Sequence, residues 1–335
     1  MSSSDRPARP CSGTAARVPY VALPPTAIDA EPDGPTRLIV AWHGFEPPRS
    51  EGSFAAAVPM SGVPAWRVFL GLPMFGNRLP PGGIAEVRAR AQRDYLLELY
   101  GPVVQQAAAE LPAAVAEIRD DLGLADTPIG LVGFSAGGGA ALLALAEGNI
   151  EVAAAALIAP IAVPALVLAA MERRSGGTYT WTPESRAVAD RLDFTSRAAE
   201  VVARDPALML VAGAGDELVA ESELAVLRDR LTAGGGTVEA LTFSMGHALA
   251  AEPGLAAEPP IAEAVSVDAA LTGWFRERFG VKARETPPTV PFSQVPAQIP
   301  AQAPAQAPSQ IPAHDSRPRL PVGSWAPAAP TLTSR

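Results

Sequence analysis

The sequence is short of the residues on which several classes of binding site depend. Of its 335 residues, one is cysteine (Cys11) and three are histidine. A single cysteine cannot form an intrachain disulfide, and it excludes a zinc site built from several cysteines. Three histidines are too few for most histidine-rich metal sites. The sequence therefore predicts no metal centre.

Positive charge is scarce as well. Lysine and arginine total 26 against 35 aspartates and glutamates, which gives a formal net charge of −9 at pH 7. This balance argues against nucleic acid or an anionic membrane as a main partner. Residues 152–171 carry no charge over nearly the length that spans a bilayer, but Pro160 and Pro164 would break a helix there. We interpret the stretch as a buried strand followed by a short helix.

Composition divides the chain into three parts. The first residues lack the apolar core of a secretory signal, so a cytoplasmic location is expected. From about residue 287 onward, proline, alanine and glutamine dominate, and such a segment buries too little apolar surface to fold. The predicted organisation is a disordered N-terminus over residues 1–17, one α/β domain over 18–283, and a disordered Pro/Ala/Gln-rich tail over 284–335.

Short apolar runs alternate with helical patterns inside the predicted domain. Alternation of this kind predicts a mostly parallel sheet flanked by helices. An interval of about forty residues, 160–203, is too long for a simple crossover, and we expect it to form a small helical cap beside the site. The predicted strands are residues 19–23, 37–42, 67–72, 129–134, 152–158, 207–212 and 238–243.

A motif that carries chemistry follows the fourth of these strands, where Gly133-Phe134-Ser135-Ala136-Gly137 fits G-x-S-x-G. The motif has meaning only between a strand and a helix, and both are predicted here. Its glycines let the strand and the helix pass closely around a sharp turn that projects the serine hydroxyl. The Ala136 N–H, at the helix N-terminus, is then placed to stabilise a developing oxyanion.

A serine hydroxyl is a weak nucleophile unless a base removes its proton. His247 is the candidate base, because it lies in a glycine-containing loop after the last predicted strand. The other two histidines compete poorly. His314 lies in the predicted tail, and His43 suits a different role.

The base in turn needs an acid that fixes its tautomer. Asp216 follows the strand 207–212 and is the candidate. The adjacent Glu217 stays open as an alternative, and Asp193 in the predicted cap is a weaker rival. Nucleophile, acid and histidine at three successive strand ends, in that order, are more specific than any one of them.

The run LIVAWHGFEPP places His43, Gly44 and Phe45 directly after an early buried strand. A second donor to the oxyanion is expected in this loop. The Phe45 N–H is the candidate donor. Gly44 supplies the conformation, and His43 shapes the loop.

The segments HGF, GFSAGG, GDE and MGH, in this order of strands and helices, resemble the α/β-hydrolase superfamily. They are most similar to its dienelactone-hydrolase-like and prolyl-oligopeptidase-like carboxylesterase branch, over about residues 36–280. The resemblance implies a sheet of about eight strands, mainly parallel and flanked by helices, and no cofactor. Two departures matter. Dienelactone hydrolases carry cysteine where Ser135 stands, and the propeller domain that gates oligopeptidases has no counterpart here, which argues against peptide cleavage.

The sequence therefore predicts a serine hydrolase that cleaves a carboxylic ester, a lactone or a thioester through an acyl-enzyme on Ser135. An acyltransferase or thioesterase with the same three residues is an alternative. A non-catalytic interaction protein that keeps the fold is another. A small ester-like molecule is the expected partner, while the substrate's identity and the oligomeric state stay open.

The substrate pocket is harder to place. Met74 and Phe75 follow the strand 67–72 in a loop that could reach the site, so we expect them to form an apolar wall, with core packing as the competing interpretation. Trp181 in the predicted cap is a further candidate for this wall. Arg78 is a candidate partner for a substrate carboxylate, with simple solvent exposure as its alternative.

Overall fold

The computed structural model describes residues 9–26 and 34–279. Within them, eight strands form one sheet in the order β1-β2-β4-β3-β5-β6-β7-β8. The strands are β1 (Cys11–Ala15), β2 (Val18–Leu23), β3 (Arg37–Trp42), β4 (Ala65–Leu70), β5 (Ile129–Phe134), β6 (Val152–Ile158), β7 (Ala207–Gly213) and β8 (Val238–Phe243). β1 and β2 run antiparallel to their neighbours, and all pairs from β4 to β8 are parallel.

Helices connect the strands and cover the sheet. The predicted fold class, a mostly parallel sheet of about eight strands flanked by helices, is thereby confirmed. The helices are α1 (Glu51–Ala57), α2 (Gly83–Arg93), α3 (Gly101–Leu122), α4 (Ala136–Glu147), α5 (Pro164–Ser175), α6 (Pro183–Arg191), α7 (Ala198–Val201), α8 (Glu221–Ala233) and α9 (Ala262–Arg278), with a 3₁₀ turn at Gly76–Arg78 and a π-helical turn at Tyr95–Tyr100. No helix in the described part of the chain has the length and apolar character needed to cross a bilayer.

The central strands of the sheet are buried on both faces. Every residue of β5 is buried, and so are all but the first residue of β3. Continuous apolar runs of this kind are expected where helices cover both faces of a parallel sheet. The first ten residues of α4 are buried too, and most are glycine or alanine, so this helix packs closely against β5 and α3. The carboxyl ends of β3, β5, β7 and β8 consequently lie at one edge of the sheet.

The N-terminal prediction is wrong from residue 11 onward. Disorder is expected over residues 1–17, but Cys11–Ala15 forms β1 and pairs with β2. Only the last residue of β1 is buried. Main-chain hydrogen bonds to β2 therefore hold this strand, and its sequence has no apolar pattern from which a strand could be predicted. The described residues do not include residues 1–8 of the predicted N-terminus. They also end before residue 280, so the whole predicted tail lies outside them.

The long interval between β6 and β7 holds the three helices α5, α6 and α7. α7 packs against α4 and α8, on the body of the domain. α5, by contrast, lines a cavity at the carboxyl edge of the sheet. The description of residues 160–203 as a cap stays a prediction.

Candidate active site

Ser135 sits at a strained turn between β5 and α4. Its φ of 54° and ψ of −116° lie outside the regions that side chains favour, and such strain persists only where the surroundings fix it. Backbone hydrogen bonds provide that support. The Ser135 N–H donates to the Ile158 carbonyl (2.9 Å), and the Ser135 carbonyl accepts from the N–H groups of Gly139 and Ile161 (both 3.1 Å).

Two glycines of the motif make the turn possible. A Cβ on Gly133 would lie 2.5 Å from the Gly137 carbonyl oxygen. A Cβ on Gly137 would lie 2.3 Å from the carbonyl oxygen of His43, on the neighbouring loop. Neither position has room for a side chain, so the motif brings β5, α4 and the loop after β3 into backbone contact.

His247 connects Ser135 to an acid. Its Nε2 lies 2.8 Å from Ser135 Oγ, and its Nδ1 lies 2.7 Å from Asp216 Oδ2. The other carboxylate oxygen of Asp216 accepts the N–H groups of Leu218 (2.8 Å) and Val219 (2.9 Å). Since a carboxylate only accepts, the imidazole proton must sit on Nδ1, and Nε2 is left to accept the serine hydroxyl.

The three acidic candidates are placed differently. The side chain of Asp216 is fully buried against His247. Glu217 is exposed and lines the cavity. Asp193 bonds Ser196 within its own turn. Among the described residues, Asp216 is therefore the acid that contacts the histidine.

The loop after β3 lies directly against the serine. A Cβ on Gly44 would meet the Ser135 Cβ at 2.8 Å and the Phe134 ring at 3.0 Å. Phe45 follows and is buried, and Ala136 is the first residue of α4 on the other side. Within the described ranges, neither the Phe45 N–H nor the Ala136 N–H donates a hydrogen bond. Two backbone donors thus flank Ser135, as an oxyanion site requires.

His43 supports this loop from inside the protein. It is completely buried, accepts the Leu72 N–H on Nε2 (3.2 Å), and bonds the Gly44 carbonyl through Nδ1 (2.8 Å). Because Nε2 accepts, Nδ1 carries the proton and donates it to Gly44. Burial lowers the pKa of His43 from 6.5 to about 4, although the hydrogen bond to Gly44 opposes the shift. The imidazole is neutral near pH 7, in the loop-shaping position that the sequence predicts.

The expected pocket wall at Met74 and Phe75 is wrong. Neither residue lines the cavity. Phe75 is buried behind Phe45, with the two rings stacked 4.6 Å apart at an interplanar angle of 9°. Met74 has a φ of 66°, a left-handed conformation that turns the chain back into the core. Phe75 therefore contacts the oxyanion loop and not a substrate.

Trp181 and Arg78 also lie away from the cavity. Trp181 contacts Tyr179 edge to face and lies under the guanidinium of Arg186. Arg78 pairs with Glu110 at 2.7 Å and donates to the Gly71 carbonyl at 3.1 Å, so an internal carboxylate already satisfies it.

A cavity of about 320 Å³ opens beside Ser135 and His247. One wall is apolar, and three of its five residues lie in the interval that the sequence predicts as a cap beside the site, although sequence reasoning singled out none of the five as a pocket residue. These residues are Tyr95, Ile161, Val167, Met171 and Leu218. The charged residues of the lining are mostly acidic, with Glu46, Glu217 and Glu252 against one cation, Arg174. No short motif marks these positions, because apolar residues at helical spacing look the same in a core and in a pocket.

Tyr95 stands out on the apolar wall. It is 5% exposed, and its hydroxyl has no hydrogen-bond partner among the described residues. Burial, and then the neighbouring Glu46 carboxylate, raise the pKa of Tyr95, so the hydroxyl keeps its proton. The hydroxyl oxygen is not one of the buried polar atoms that lack a partner, and Tyr95 lines the cavity. The hydroxyl is therefore accessible to a ligand in the cavity, which makes Tyr95 a candidate contact.

The described residues contain no cluster of three or more histidine, cysteine, aspartate or glutamate side chains that could hold a metal ion. The groups gathered at this edge of the sheet are a hydroxyl, an imidazole, a carboxylate and two backbone N–H groups.

No model of a known protein family matches the sequence, and no curated protein matches it. Solved structures do match. The crystal structure of TT1662 from Thermus thermophilus is 21% identical, with a TM-score of 0.56, over 80% of this chain and 98% of that one.

Two peptidase structures are similar as well. The Mycobacterium tuberculosis puromycin-hydrolyzing peptidase is 19% identical, with a TM-score of 0.55, over 82% of this chain and 41% of the peptidase. The Pyrococcus horikoshii acylaminoacyl peptidase is 14% identical, with a TM-score of 0.53, over 83% of this chain and 42% of the peptidase. The chain thus spans about two fifths of each peptidase. At such identities the likeness shows the fold, which is the one that the resemblance in sequence implies.

Proposed function

Since the chain has the α/β-hydrolase fold, we propose that it is a serine hydrolase that cleaves a carboxylic ester, a lactone or a thioester through an acyl-enzyme on Ser135. The observation that carries the proposal is the unbroken line from Ser135 Oγ to His247 (2.8 Å) and on to Asp216 (2.7 Å). A hydroxyl, a base and an orienting acid in this geometry are what nucleophilic acyl transfer needs.

In the first half of the reaction, Ser135 Oγ attacks the substrate carbonyl carbon while its proton passes to His247 Nε2. Asp216 accepts the hydrogen bond from Nδ1–H throughout and stabilises the imidazolium. The carbonyl oxygen becomes an oxyanion between the N–H groups of Phe45 and Ala136. When the tetrahedral intermediate collapses, the bond to the leaving oxygen or sulfur breaks, and His247 returns its proton to the leaving group.

In the second half, water takes the place of the leaving group. His247 Nε2 removes a proton from the water, and the resulting hydroxide attacks the acyl carbon. The same two N–H groups stabilise the second oxyanion. Collapse then breaks the bond to Ser135 Oγ, which recovers its proton from His247, and the free carboxylic acid leaves.

The shape of the cavity supports a small substrate with an apolar portion. Its volume of about 320 Å³ and its wall of tyrosine and aliphatic side chains suit a compact acyl or alcohol group. The excess of glutamates in the lining is less favourable for a substrate that carries a carboxylate near the scissile bond.

Peptide cleavage is the second candidate, because two of the similar structures are described as peptidases. Glu217, which lines the cavity and is not paired with Arg49 as Glu46 and Glu252 are, would favour a free amino group on such a substrate. Matched p-nitrophenyl esters and p-nitroanilides of the same amino acid distinguish the two activities. An ester hydrolase releases p-nitrophenol much faster than p-nitroaniline, whereas a peptidase cleaves both.

Labelling with a fluorophosphonate tests the proposal directly. We expect the wild-type chain to be labelled at pH 7 and Ser135→Ala to resist, because the label reports an activated serine. Ser53→Ala is the matched control, since Ser53 is buried but lies in α1. A wild-type chain that resists the label would refute the hydrolase proposal, and a labelled Ser135→Ala would refute the choice of nucleophile.

A further inference from the structure

Arg49 is a buried cation that the proposed reaction does not use. It lies between β3 and α1, and its side chain is 5% exposed. Burying a guanidinium is costly unless its donors are paired. This one is extensively paired, and its partners lie on two separate segments that border the active site.

Among the described residues, the guanidinium makes five hydrogen bonds, and it has five N–H groups. Nε donates to the Phe45 carbonyl (2.8 Å), and one terminal nitrogen donates to Glu252 (2.5 Å) and to the Pro253 carbonyl (2.7 Å). The other terminal nitrogen donates to Glu46 (2.9 Å) and to the second oxygen of Glu252 (3.1 Å). The pairing with Glu252 is bidentate, a geometry that lysine cannot reproduce.

These bonds join the loop that carries Phe45 to the segment that follows His247. Backbone hydrogen bonds run alongside, from the Arg49 N–H to the Gly254 carbonyl (2.7 Å) and from the Leu249 N–H to the Pro47 carbonyl (2.8 Å). One segment follows β3 and the other follows β8, and these two strands lie on opposite sides of β5 in the sheet. Arg49 spans the two segments with five side-chain bonds, and the neighbouring Ser50 adds one, from its hydroxyl to the Leu255 carbonyl (2.7 Å).

Phe45 is the residue through which this link reaches the chemistry. Its ring is fixed by stacking on Phe75, and its carbonyl is fixed by Arg49 Nε. With both ends held, little freedom remains in the backbone angles that aim the Phe45 N–H. We propose that Arg49 is a positioning residue that holds this N–H toward the transition-state oxyanion and keeps the Phe45 and His247 segments in register. The inference rests on the proposed hydrolase function.

The effect belongs to the transition state, because a carbonyl in the bound substrate gains less from a well-aimed donor than an oxyanion does. Loss of Arg49 should therefore lower kcat and leave KM nearly unchanged. A residue that only stabilises the fold would not produce that division at a temperature where every variant is folded.

Arg49→Lys is the test, and Arg119→Lys is the matched control. Arg119 is similarly shielded (14% exposed), pairs with Asp126 and bonds the Thr127 carbonyl, but it lies at the opposite edge of the sheet. We expect Arg49→Lys to lower kcat on p-nitrophenyl acetate by roughly 10- to 100-fold, a part of the loss that follows removal of one oxyanion donor. KM should stay within about twofold, and Arg119→Lys should match the wild type in both constants.

A trifluoromethyl ketone gives an independent readout, since it forms a tetrahedral oxyanion adduct on the serine. Its inhibition constant should rise by the same factor as kcat/KM falls. If Arg49→Lys does not fold, Glu252→Gln is used; it keeps the Pro253 contact and should lower kcat in the same way by about threefold or more.

The outcomes separate the two proposals. A wild-type chain without esterase activity or fluorophosphonate labelling overturns the hydrolase function, and the role of Arg49 with it. An active wild type with Arg49→Lys equal to Arg119→Lys overturns the positioning role alone. That role is likewise overturned if Arg49→Lys raises KM while kcat holds, or if the inhibition constant of the ketone does not change.

Discussion

Replacing Gly44 by alanine tests the oxyanion site with a single methyl group. Gly44 does not adopt a left-handed φ, so alanine can take the same backbone conformation. The whole effect must then come from contacts. The new Cβ would lie 2.8 Å from the Ser135 Cβ and 3.0 Å from the Phe134 ring, and ordinary carbon–carbon contacts lie near 3.5–4.0 Å.

The loop must therefore move by about 1 Å relative to Ser135. Ser135 is held by three backbone hydrogen bonds, so the segment of His43, Gly44 and Phe45 is the part that yields. A donor that starts about 2.9 Å from the oxyanion would end near 3.9 Å, outside hydrogen-bonding range. Loss of one such donor costs about 3 kcal/mol of transition-state stabilisation, so we expect kcat to fall by roughly 100-fold or more.

The assay measures kcat and KM on p-nitrophenyl esters together with the free energy of unfolding in urea. Gly273→Ala is the control, because a Cβ there meets nothing within 4 Å in α9, and alanine should raise stability by about 0.5–1 kcal/mol. Gly44→Ala should lose about 1–3 kcal/mol of stability to the crowded contact and stay folded. A folded Gly44→Ala with kcat within threefold of wild type would show that this loop does not serve the oxyanion.

Four further substitutions address other parts of the site. Asp216→Asn should lower kcat by about 10⁴, because the amide oxygen keeps the backbone N–H bonds and the NH₂ group then faces His247, which reverses the imidazole tautomer. The kcat of Glu217→Gln should stay within about tenfold of wild type, and a larger loss there would show that Glu217 is the orienting acid. His43 binds a proton below about pH 4 in the folded chain and below 6.5 in the unfolded chain, so it contributes stability above pH 6.5 that is lost toward pH 4. Urea unfolding of wild type should show about 3 kcal/mol more loss between pH 7 and pH 4 than His43→Gln, and equal losses would contradict the burial argument. Tyr95→Phe should change the free energy of unfolding by less than about 1 kcal/mol, since the hydroxyl has no partner among the described residues. It should lower kcat/KM only for esters whose acyl group can form a hydrogen bond, and an equal loss across simple alkyl esters would contradict this role.

The sheet is predictable because burial on both faces leaves continuous apolar runs in the sequence. All seven predicted strands are present, and only the one after α1 is displaced, to Ala65–Leu70. β1 escapes prediction for the converse reason. Its residues are mostly exposed, so the pairing with β2 rests on main-chain groups that every residue shares.

The choice between Asp216 and Glu217 depends on a signal that the sequence does carry. An aspartate side chain is short enough to accept backbone N–H groups two and three residues ahead, as Asp216 does at the turn before α8. That local bond orients one carboxylate oxygen and leaves the other for His247. A glutamate is one methylene longer and favours this turn less.

The pocket wall cannot be predicted in the same way. Met74 is expected there from its place after a strand, but its left-handed backbone sends Phe75 into the core. A methionine gives no warning of such a conformation, unlike glycine or asparagine. One of the glutamates of the cavity, Glu252, is held by Arg49. These two residues are distant in sequence and belong to no motif.

These differences follow from how each part of the site is held. Ser135 and the Asp216 carboxylate are fixed mainly by backbone contacts at the ends of strands, and the glycines and short side chains that permit those contacts stand in the sequence as motifs. The cavity wall comes instead from α5 and the turn that carries Tyr95, where ordinary apolar residues meet only after the chain has folded. The proposed reaction is therefore encoded locally at the sheet edge. Which ester is accepted depends on the segments that pack over the sheet edge and line the cavity. This selectivity can change without any change to the three reactive side chains.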